Sequence, residues 1–330
     1  MREVRVRKVQ LATTAIALFA LACGADAQRT PDQNPSTSSP APSASAPAPS
    51  APPAPSAPLT FVGARAWAHL KAQVAIGARP AGSPALAETH RYITAQLKDA
   101  ALAAQEQRFT GQTPVGPIAM TNLIATIPGQ RAERIVIATH YDTKRFQEFQ
   151  FVGASDGASS TAVVLELARV LAATKPEFTI ELLFLDGEEA VVEWQGDDNT
   201  YGSRHYVTSA RQDGSLSRLK AFILVDMVGD RDLRIRRDSN STPWLVDIIW
   251  EAAARRGYRS QFPDELTTIA DDHVPFLRAG VPAVDIIDLD YAAWHTAEDT
   301  LDNVSQQSLQ IVGDVILEAL PAVVRRLRAP

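Results

Sequence analysis

The chain has 330 residues, 45% of them hydrophobic, and a formal net charge of -6. An acidic chain is a poor candidate for binding nucleic acid or an anionic membrane surface, so we expect no nucleic-acid partner. Its single cysteine, Cys23, excludes an internal disulfide, so the core must be stabilised by packing alone.

The first 27 residues have the pattern of an export signal. A basic start precedes the apolar run LATTAIALFALA, which is too short and too early for a membrane-spanning helix. Two cleavage sites compete: an A-x-A site at 25–27 would leave Gln28 first, whereas LAC at 21–23 resembles a bacterial lipoprotein box in which Cys23 is lipidated. Both predict an exported protein, periplasmic or extracellular, and the second adds a membrane tether through Cys23.

A Pro/Ala/Ser-rich stretch follows at 28–58. It cannot bury an apolar face, so we interpret it as an extended spacer. Such a spacer suits a tether between an anchor and a domain, and a secreted protein with a flexible leader is the alternative. Residues 59–330 contain no second linker and no internal repeat, which predicts one folded domain.

The folded part begins with helical patterns across 64–102, interrupted by the turn-like GARPAGSP. Strand-like runs at 105–110 and 121–127 are predicted to form an antiparallel edge. Four apolar runs then predict strands buried on both faces, at 134–142, 178–186, 219–229 and 281–287. Helices are predicted at 158–173, from 201 onwards, at 243–257 and from 305 to 327.

This alternation predicts an α/β fold, a three-layer sandwich with a central, mostly parallel mixed sheet flanked by helices. Reactive side chains in such sheets collect outside the carboxyl ends of the strands. Polar residues follow each of the four buried runs, so loops far apart in the sequence should converge. These residues are His140, Asp142, Asp186, Glu188, Glu189, Asp226, Asp288 and His295.

Several of these side chains, together with Asp156, could hold a metal ion. Taken alone, Asp156 in GASDGA fits a helix N-cap. Glu188 and Glu189 fit a solvated turn, and His295 in AAWHTAED fits a loop histidine bonded to a neighbour. Their shared place at one predicted edge favours a zinc site with one position left open for substrate or water. Asp186 is predicted to be a structural acceptor at its strand end.

Seven motifs in a fixed order carry a resemblance to a known family. They are HYDTK at 140–144, GASDGA at 153–158, DGEEA at 186–190, YGSRH at 201–205, VDMVG at 225–229, DDHVPFLRAGVP at 271–282 and WHT at 294–296. Together they resemble the zinc-dependent aminopeptidase family that also contains the animal-type glutaminyl cyclases, over about residues 78–327. The resemblance implies a zinc-dependent catalytic domain at 59–330 with the zinc aminopeptidase-like fold.

The resemblance also implies roles for single residues. Asp156, Glu189 and His295 would be the zinc ligands, and Glu188 would be the general acid/base beside the metal. Family members tend to hold the peptide bond after the ligand at the position of Asp156 in cis, so we expect a cis bond between Asp156 and Gly157.

The number of zinc ions depends on a second set of residues. In a peptidase, the resemblance implies that His140 and Asp226 are extra ligands for a second zinc. In a cyclase, Asp226 would instead join a hydrogen-bond network with Glu188 and Asp271 around a single zinc. We expect one zinc, and two is the alternative.

Two tryptophans favour the cyclase. Trp194 stands five residues after Glu189, Trp294 directly precedes His295, and the resemblance implies that both line the pocket for a glutamine side chain. Core packing is the alternative for either tryptophan taken alone. The chain lacks the cysteine pair of the animal cyclases, and VDMVG fits an aminopeptidase equally well.

These features predict a glutaminyl-peptide cyclotransferase, which converts the N-terminal glutamine of a peptide or protein to pyroglutamate and releases ammonia. The first alternative is an aminopeptidase with one or two zinc ions. The second is a non-catalytic binding module on the same fold, although such modules usually lose ligand residues that this chain keeps. We expect the N-termini of peptides or proteins as substrates, and a monomer.

Overall fold

The computed structural model of the chain describes residues 60–329. The predicted export signal, the spacer and Cys23 lie outside these residues and stay predictions. The described part begins with a helical hairpin, in which α1 spans Gly63–Ile76 and α2 spans Pro84–Asp99. The side chain of Ser83 accepts a hydrogen bond from the Leu86 backbone N–H and caps α2, while Pro84 occupies its first turn.

The remaining elements alternate as the sequence predicts. In chain order they are β1 (Ala104–Thr113), β2 (Gly116–Ile127), β3 (Arg131–His140), α3 (Ala158–Ala172), β4 (Phe178–Leu185), α4 (Tyr201–Gln212), a 3-10 turn (Ser215–Arg218), β5 (Leu219–Asp226), β6 (Arg237–Asp238), α5 (Pro243–Arg255), β7 (Leu266–Thr267), α6 (His273–Arg278), β8 (Ala283–Ile287) and α7 (Gln306–Arg328).

Six strands form the central sheet in the order β1-β2-β4-β3-β5-β8. The β1–β2 and β2–β4 pairs are antiparallel, whereas β3 pairs in parallel with β4 and β5, and β5 pairs in parallel with β8. Helices α1, α3, α5 and α7 pack together on one face, and α4 and α6 contact each other on the other face. The predicted three-layer α/β sandwich is therefore confirmed.

The parallel strands end level with one another. His140 at the end of β3 lies beside Leu185 at the end of β4, and Asp226 at the end of β5 lies beside Ile287 at the end of β8. The loops that follow these four strands therefore begin at a single edge of the sheet, as the apolar runs predict.

Helix α7 belongs to the apolar core. It is long and apolar enough by length and composition to cross a membrane, but 56% of its most apolar window is buried within the protein. It packs against α1, α3 and α5, with Val312 and Ile316 fully buried. This burial is that of a core helix.

Two short features were not predicted. Strands β6 and β7 form a two-stranded parallel ribbon of two residues each, and α6 has only six residues. Elements of this length are too short to show a hydrophobic period, and α6 also contains Pro275 in its first turn.

Candidate active site

The loop that carries Asp156 lies between β3 and α3 and is fixed by another loop. The backbone N–H groups of Ser155 and Asp156 donate to the carboxylate of Asp299, at 2.7 Å and 3.1 Å. Asp299 follows His295 by four residues, so one carboxylate joins the two loops that carry predicted ligands. Sequence reasoning missed this role because the partners are backbone groups more than 140 positions away.

A buried cation holds the other side of the same loop. The guanidinium of Arg79 is fully buried and donates to the carbonyl oxygens of Val152 and Gly153, at 2.7 Å and 3.2 Å. Burial lowers the pKa of Arg79 to about 10, and the charges of Asp299 and Asp156 oppose that shift. The negative potential of the site therefore helps to keep this guanidinium charged inside the protein.

The expected cis bond after Asp156 is wrong. The described residues contain no cis peptide bond, and the turn into α3 is made by Gly157, which has a φ of 87°. A side chain at this position would be strained at that φ, and its Cβ would come within 2.6 Å of the Asp142 carbonyl oxygen. The glycine thus provides the sharp turn with a trans bond.

The three predicted zinc ligands meet at the edge of the sheet, and we call them the outer group. His295 Nε2 lies 3.3 Å from Asp156 Oδ2 and 3.3 Å from Glu189 Oε1. One donor atom from each residue lies within 4.8 Å of the others. Two carboxylates and one imidazole are a donor set that zinc accepts, so the residues present fit the ion.

The predicted second set also assembles, and we call His140, Asp156 and Asp226 the inner group. His140 Nε2 lies 2.9 Å from Asp226 Oδ1 and 3.3 Å from Asp156 Oδ1, and all three side chains are buried. Asp156 belongs to both groups. The described residues thus contain two adjacent positions for a cation, and their use as metal ligands stays a prediction.

Asp142 connects the inner group to the two glutamates. Its carboxylate oxygens accept the backbone N–H groups of Glu188 and Glu189, at 3.2 Å and 3.3 Å, and Oδ1 lies 3.6 Å from His140 Nδ1. The sequence placed Asp142 at this edge but indicated no role for it. Its position two residues after His140, in HYD, is the only signal of the role.

Burial and the neighbouring charges shift the pKa values of two residues of the outer group. Burial, together with the charge of Asp156, raises the pKa of Glu189 to about 7. Burial alone would lower the pKa of His295, but its contacts with Asp156 and Glu189 raise that pKa to about 9. Buried carboxylates this close together need a proton or a cation, which is a second observation that fits a metal ion.

Glu188 lines the same cavity as the outer group. Burial raises its pKa well above the ordinary value, and the charges of Asp271 and Glu189 add to this shift while His140 opposes it. Its Oε2 lies 3.8 Å from His140 Nδ1. A buried glutamate with a raised pKa beside a candidate cation site can accept and return a proton.

Asp271 lines the cavity with Glu188 and Asp226. Burial and the Asp226 charge raise its pKa to about 6, and its Oδ2 has no hydrogen-bond partner within residues 60–329. The structure therefore places the three residues of the predicted network around one cavity, and the network itself stays a prediction.

The third carboxylate of the DGEEA motif points elsewhere. Asp186 Oδ2 accepts the backbone N–H of Thr121 at 2.7 Å, and the Asp186 N–H donates to the Asn122 side chain at 3.1 Å. It therefore ties the end of β4 to β2, which agrees with the predicted structural acceptor.

The cavity beside the outer group has a volume of about 330 Å³. Trp194 and Trp294 form part of its wall and are 40% and 43% exposed, which is too exposed for core packing. Apolar side chains cover much of the rest, among them Met227, Ile269 and Leu289. The pocket can therefore accept a small, partly apolar group beside the proposed ligands.

Aromatic rings also surround His295. Trp294 stacks on its imidazole at 4.4 Å, and Phe146 and Phe151 meet it edge-on at 5.8 Å and 5.7 Å. The two phenylalanines come from the segment RFQEFQF, which the sequence left without a role. These rings restrict the orientation of the His295 imidazole. The backbone of His295 has a left-handed φ of 55°.

Known proteins are similar to this chain in sequence. Residues 122–320 match the model of peptidase family M28. The glutaminyl-peptide cyclotransferase-like protein of Mus musculus is 32% identical over 255 residues, which cover 68% of this chain and 67% of that protein.

Solved structures extend the similarity to the whole described fold. The glutaminyl cyclase of an Acidobacteriales bacterium is 41% identical with a TM-score of 0.79, over 84% of this chain and 99% of that chain. The glutaminyl cyclase of Porphyromonas gingivalis is 28% identical with a TM-score of 0.74, over 81% and 99%.

Proposed function

The chain belongs to peptidase family M28, and from this premise we propose that it is a glutaminyl-peptide cyclotransferase. The observation that carries the proposal is one cavity in which Glu188 and the outer group lie beside Trp194 and Trp294. The names of the similar proteins support it. The substrate would be the N-terminal glutamine of a peptide or protein, and the products would be a pyroglutamyl peptide and ammonia.

We propose that Asp156, Glu189 and His295 hold one zinc ion. When bound, the ion would polarise the side-chain amide of the substrate glutamine. The chain's contribution is to hold the ligands in place: Asp299 fixes the loop of Asp156, and Asp142 fixes the backbone of Glu189. Contacts that hold a ligand in place without binding the metal usually change metal affinity by ~10–100-fold.

Glu188 would move the proton. The substrate's α-amine attacks the side-chain amide carbon, a C–N bond forms, and the C–N bond to the leaving nitrogen breaks. Glu188 accepts a proton from the amine and returns it to that nitrogen, which leaves as ammonia. Its buried position and raised pKa suit both halves of this transfer.

The walls would orient the glutamine side chain and exclude competing water. Cyclisation needs no water, because the nucleophile is the substrate's own amine. Trp194, Trp294 and Leu289 present apolar surface to the cavity, which favours an organic group over a water network. Holding the amine against the amide in this pocket would supply the proximity that the reaction requires.

One incubation tests the proposal. Purified protein is given two peptides that differ only in an N-terminal glutamine or leucine, and ammonia and free amino acids are both measured. We expect ammonia from the glutamine peptide and no free leucine. A reaction without protein corrects for spontaneous cyclisation. Release of leucine without ammonia would falsify the cyclase.

An aminopeptidase is the second candidate, and the inner group favours it. His140, Asp156 and Asp226 offer a second cation position beside the first, which is the arrangement a two-metal hydrolase needs. Zinc content by mass spectrometry separates the candidates: we expect one zinc per chain, and two with leucine release would support the peptidase. A non-catalytic module is disfavoured because every predicted ligand is present and assembled.

We further propose that the protein is exported and monomeric, with the membrane tether through a lipidated Cys23 as one of two forms. The sequence pattern at 1–58 is the support for export and for the tether, and the monomer is an expectation that size-exclusion chromatography tests. Mass spectrometry of the mature protein's N-terminus distinguishes a chain that starts at Gln28 from a lipidated chain that starts at Cys23.

A further inference from the structure

A short exposed segment carries Trp194 beside the cavity. Residues 191–198, which we call the lip, connect the glutamate motif to α4 and contain no helix or strand. The six residues at 192–197 are exposed, and only Val191 and Asp198 at the two ends are buried. Packing of side chains therefore cannot hold the lip in one conformation, and another source of order is needed.

The carboxylate of Asp198 provides that order. Its Oδ1 accepts the backbone N–H of Val191 at 3.0 Å, and its Oδ2 accepts those of Val192 and Glu193 at 2.8 Å and 3.0 Å. The Tyr201 hydroxyl donates to Oδ1 at 2.7 Å. Three consecutive backbone N–H groups thus surround one carboxylate, and bonds to an ionised acceptor are about twice as strong as neutral ones.

The backbone on both sides of Trp194 is bonded within this turn. The Asp198 N–H donates to the Gln195 carbonyl at 3.2 Å, and the Gln195 N–H donates to the Glu193 carbonyl at 2.7 Å. Burial alone would raise the pKa of Asp198, but its bonds from Tyr201 and the three backbone amides outweigh burial and lower it. The acceptor is therefore ionised at neutral pH.

The turn is also anchored to the rigid part of the site. The backbone N–H groups of Thr200 and Tyr201 donate to the carbonyls of Glu188 and Gly187, both at 2.8 Å. Tyr201 begins α4 and is itself buried. Asp198 therefore lies between a fixed base, which carries Glu188, and the exposed tip, which carries Trp194.

We propose that Asp198 is a positioning residue for substrate binding, which holds Trp194 in place as a wall of the cavity. The identity of the bound group rests on the proposed function. Without Asp198, the three N–H groups would turn to water and the lip would adopt several conformations. Substrate would then have to order the lip on binding, which weakens binding without moving Glu188 or the outer group.

The test compares two neighbouring aspartates. The side chain of Asp197 is 92% exposed and, within residues 60–329, forms an ion pair with Arg204 alone, so Asp197→Ala is a matched control. For Asp198→Ala we expect a rise of about tenfold in KM and less than about threefold loss in kcat, whereas Asp197→Ala should match the wild type. Equal KM values for both variants would overturn the proposal.

A double-mutant cycle shows whether Asp198 acts through Trp194. In a Trp194→Ala background, Asp198→Ala should change KM by less than about twofold, because the wall is already lost. If the fold-change in KM of the double variant equals the product of the two single fold-changes, Asp198 does not act through Trp194 and the proposal fails. Zinc content should stay unchanged in all variants.

A milder variant covers the case in which Asp198→Ala does not fold. Asp198→Asn keeps the shape but offers only one acceptor oxygen, so KM should rise in the same direction by a smaller factor. The wild-type ammonia assay tests the proposed function separately. If the wild type instead releases leucine, the same ratios measured with the leucine peptide still test the lip.

Discussion

The inner and outer groups share Asp156 and similar ligand types, yet they differ in how they satisfy their charges. The side chain of His295 in the outer group is 25% exposed and lies 3.3 Å from two carboxylates. The side chain of His140 in the inner group is 1% exposed and makes a 2.9 Å hydrogen bond with Asp226. Both groups therefore contain an internal bond from an imidazole to a carboxylate, but the bond of the inner group is shorter and its histidine is buried, whereas all three residues of the outer group line the cavity.

This difference favours one zinc ion over two. A cation entering the inner group must separate His140 from Asp226 and break a buried hydrogen bond, which costs free energy. A cation entering the outer group replaces only the longer 3.3 Å contacts of His295 with Asp156 and Glu189, at a histidine that is partly exposed. The comparison therefore predicts that the outer group binds metal first and that the inner group supports it.

Asp156→Asn should have the largest effect, since this residue belongs to both groups. We expect loss of bound zinc and a fall in turnover of about a thousandfold or more, because the variant removes a charged ligand. Zinc content and ammonia release measure the two effects. Asp197→Asn, the same substitution at an exposed site, should change neither. Full zinc content in Asp156→Asn would remove Asp156 from the ligand set.

Glu188→Gln should separate chemistry from metal binding. The glutamine keeps the shape of the side chain but cannot accept a proton, so kcat should fall by about a hundredfold or more while zinc stays bound. The zinc-to-protein ratio and kcat are measured on the same sample. Zinc loss in this variant would show that Glu188 is a ligand, and the division between the outer group and Glu188 would then be wrong.

His140→Gln tests the inner group directly. If the inner group only supports the outer one, wild type and variant should both hold one zinc, with turnover reduced about tenfold through a less well-ordered Asp156. A wild type with two zincs and a variant with one would reverse the comparison and favour the aminopeptidase.

The sequence predicts the two groups better than it predicts what supports them. The four buried strands are long apolar runs, and parallel strands that end level bring His140, Asp226 and the glutamates to one edge. Residues that bind backbone groups leave no such pattern. Asp299 accepts N–H groups from another loop, and Asp198 accepts them from the start of its own loop, and only the folded chain shows which groups these are.

Another buried carboxylate at the same edge shows what happens without an imidazole. Asp288 follows β8, and its oxygens accept the backbone N–H groups of Arg234 and Asp290 at 2.7 Å and 3.1 Å. Burial raises its pKa to about 7, the charges of Asp230 and Asp290 add to the shift, and the two backbone bonds oppose it. Asp288 therefore keeps a proton up to about pH 7, whereas the carboxylates of the inner and outer groups have an imidazole beside them.

The raised pKa of Asp288 predicts the smallest effect, which is a change in the pH dependence of stability. A folded-state pKa above the unfolded value of ~3.9 means that the contribution to stability is complete below about pH 4 and is lost as the pH rises through about 7. Asp288→Asn cannot titrate, so its loss of stability between about pH 5 and about pH 8 should be smaller than that of the wild type by ~2.5 kcal/mol, or ~5 °C in Tm. Thermal unfolding of both proteins at the two pH values measures the difference, and Asp197→Asn should behave like the wild type.

The quantity compared is the change in Tm between the two pH values rather than the Tm at either one, because the asparagine also loses one backbone hydrogen bond at every pH. Parallel curves for Asp288→Asn and the wild type would mean that Asp288 is ionised throughout, and that a buried carboxylate at this edge needs neither proton nor cation.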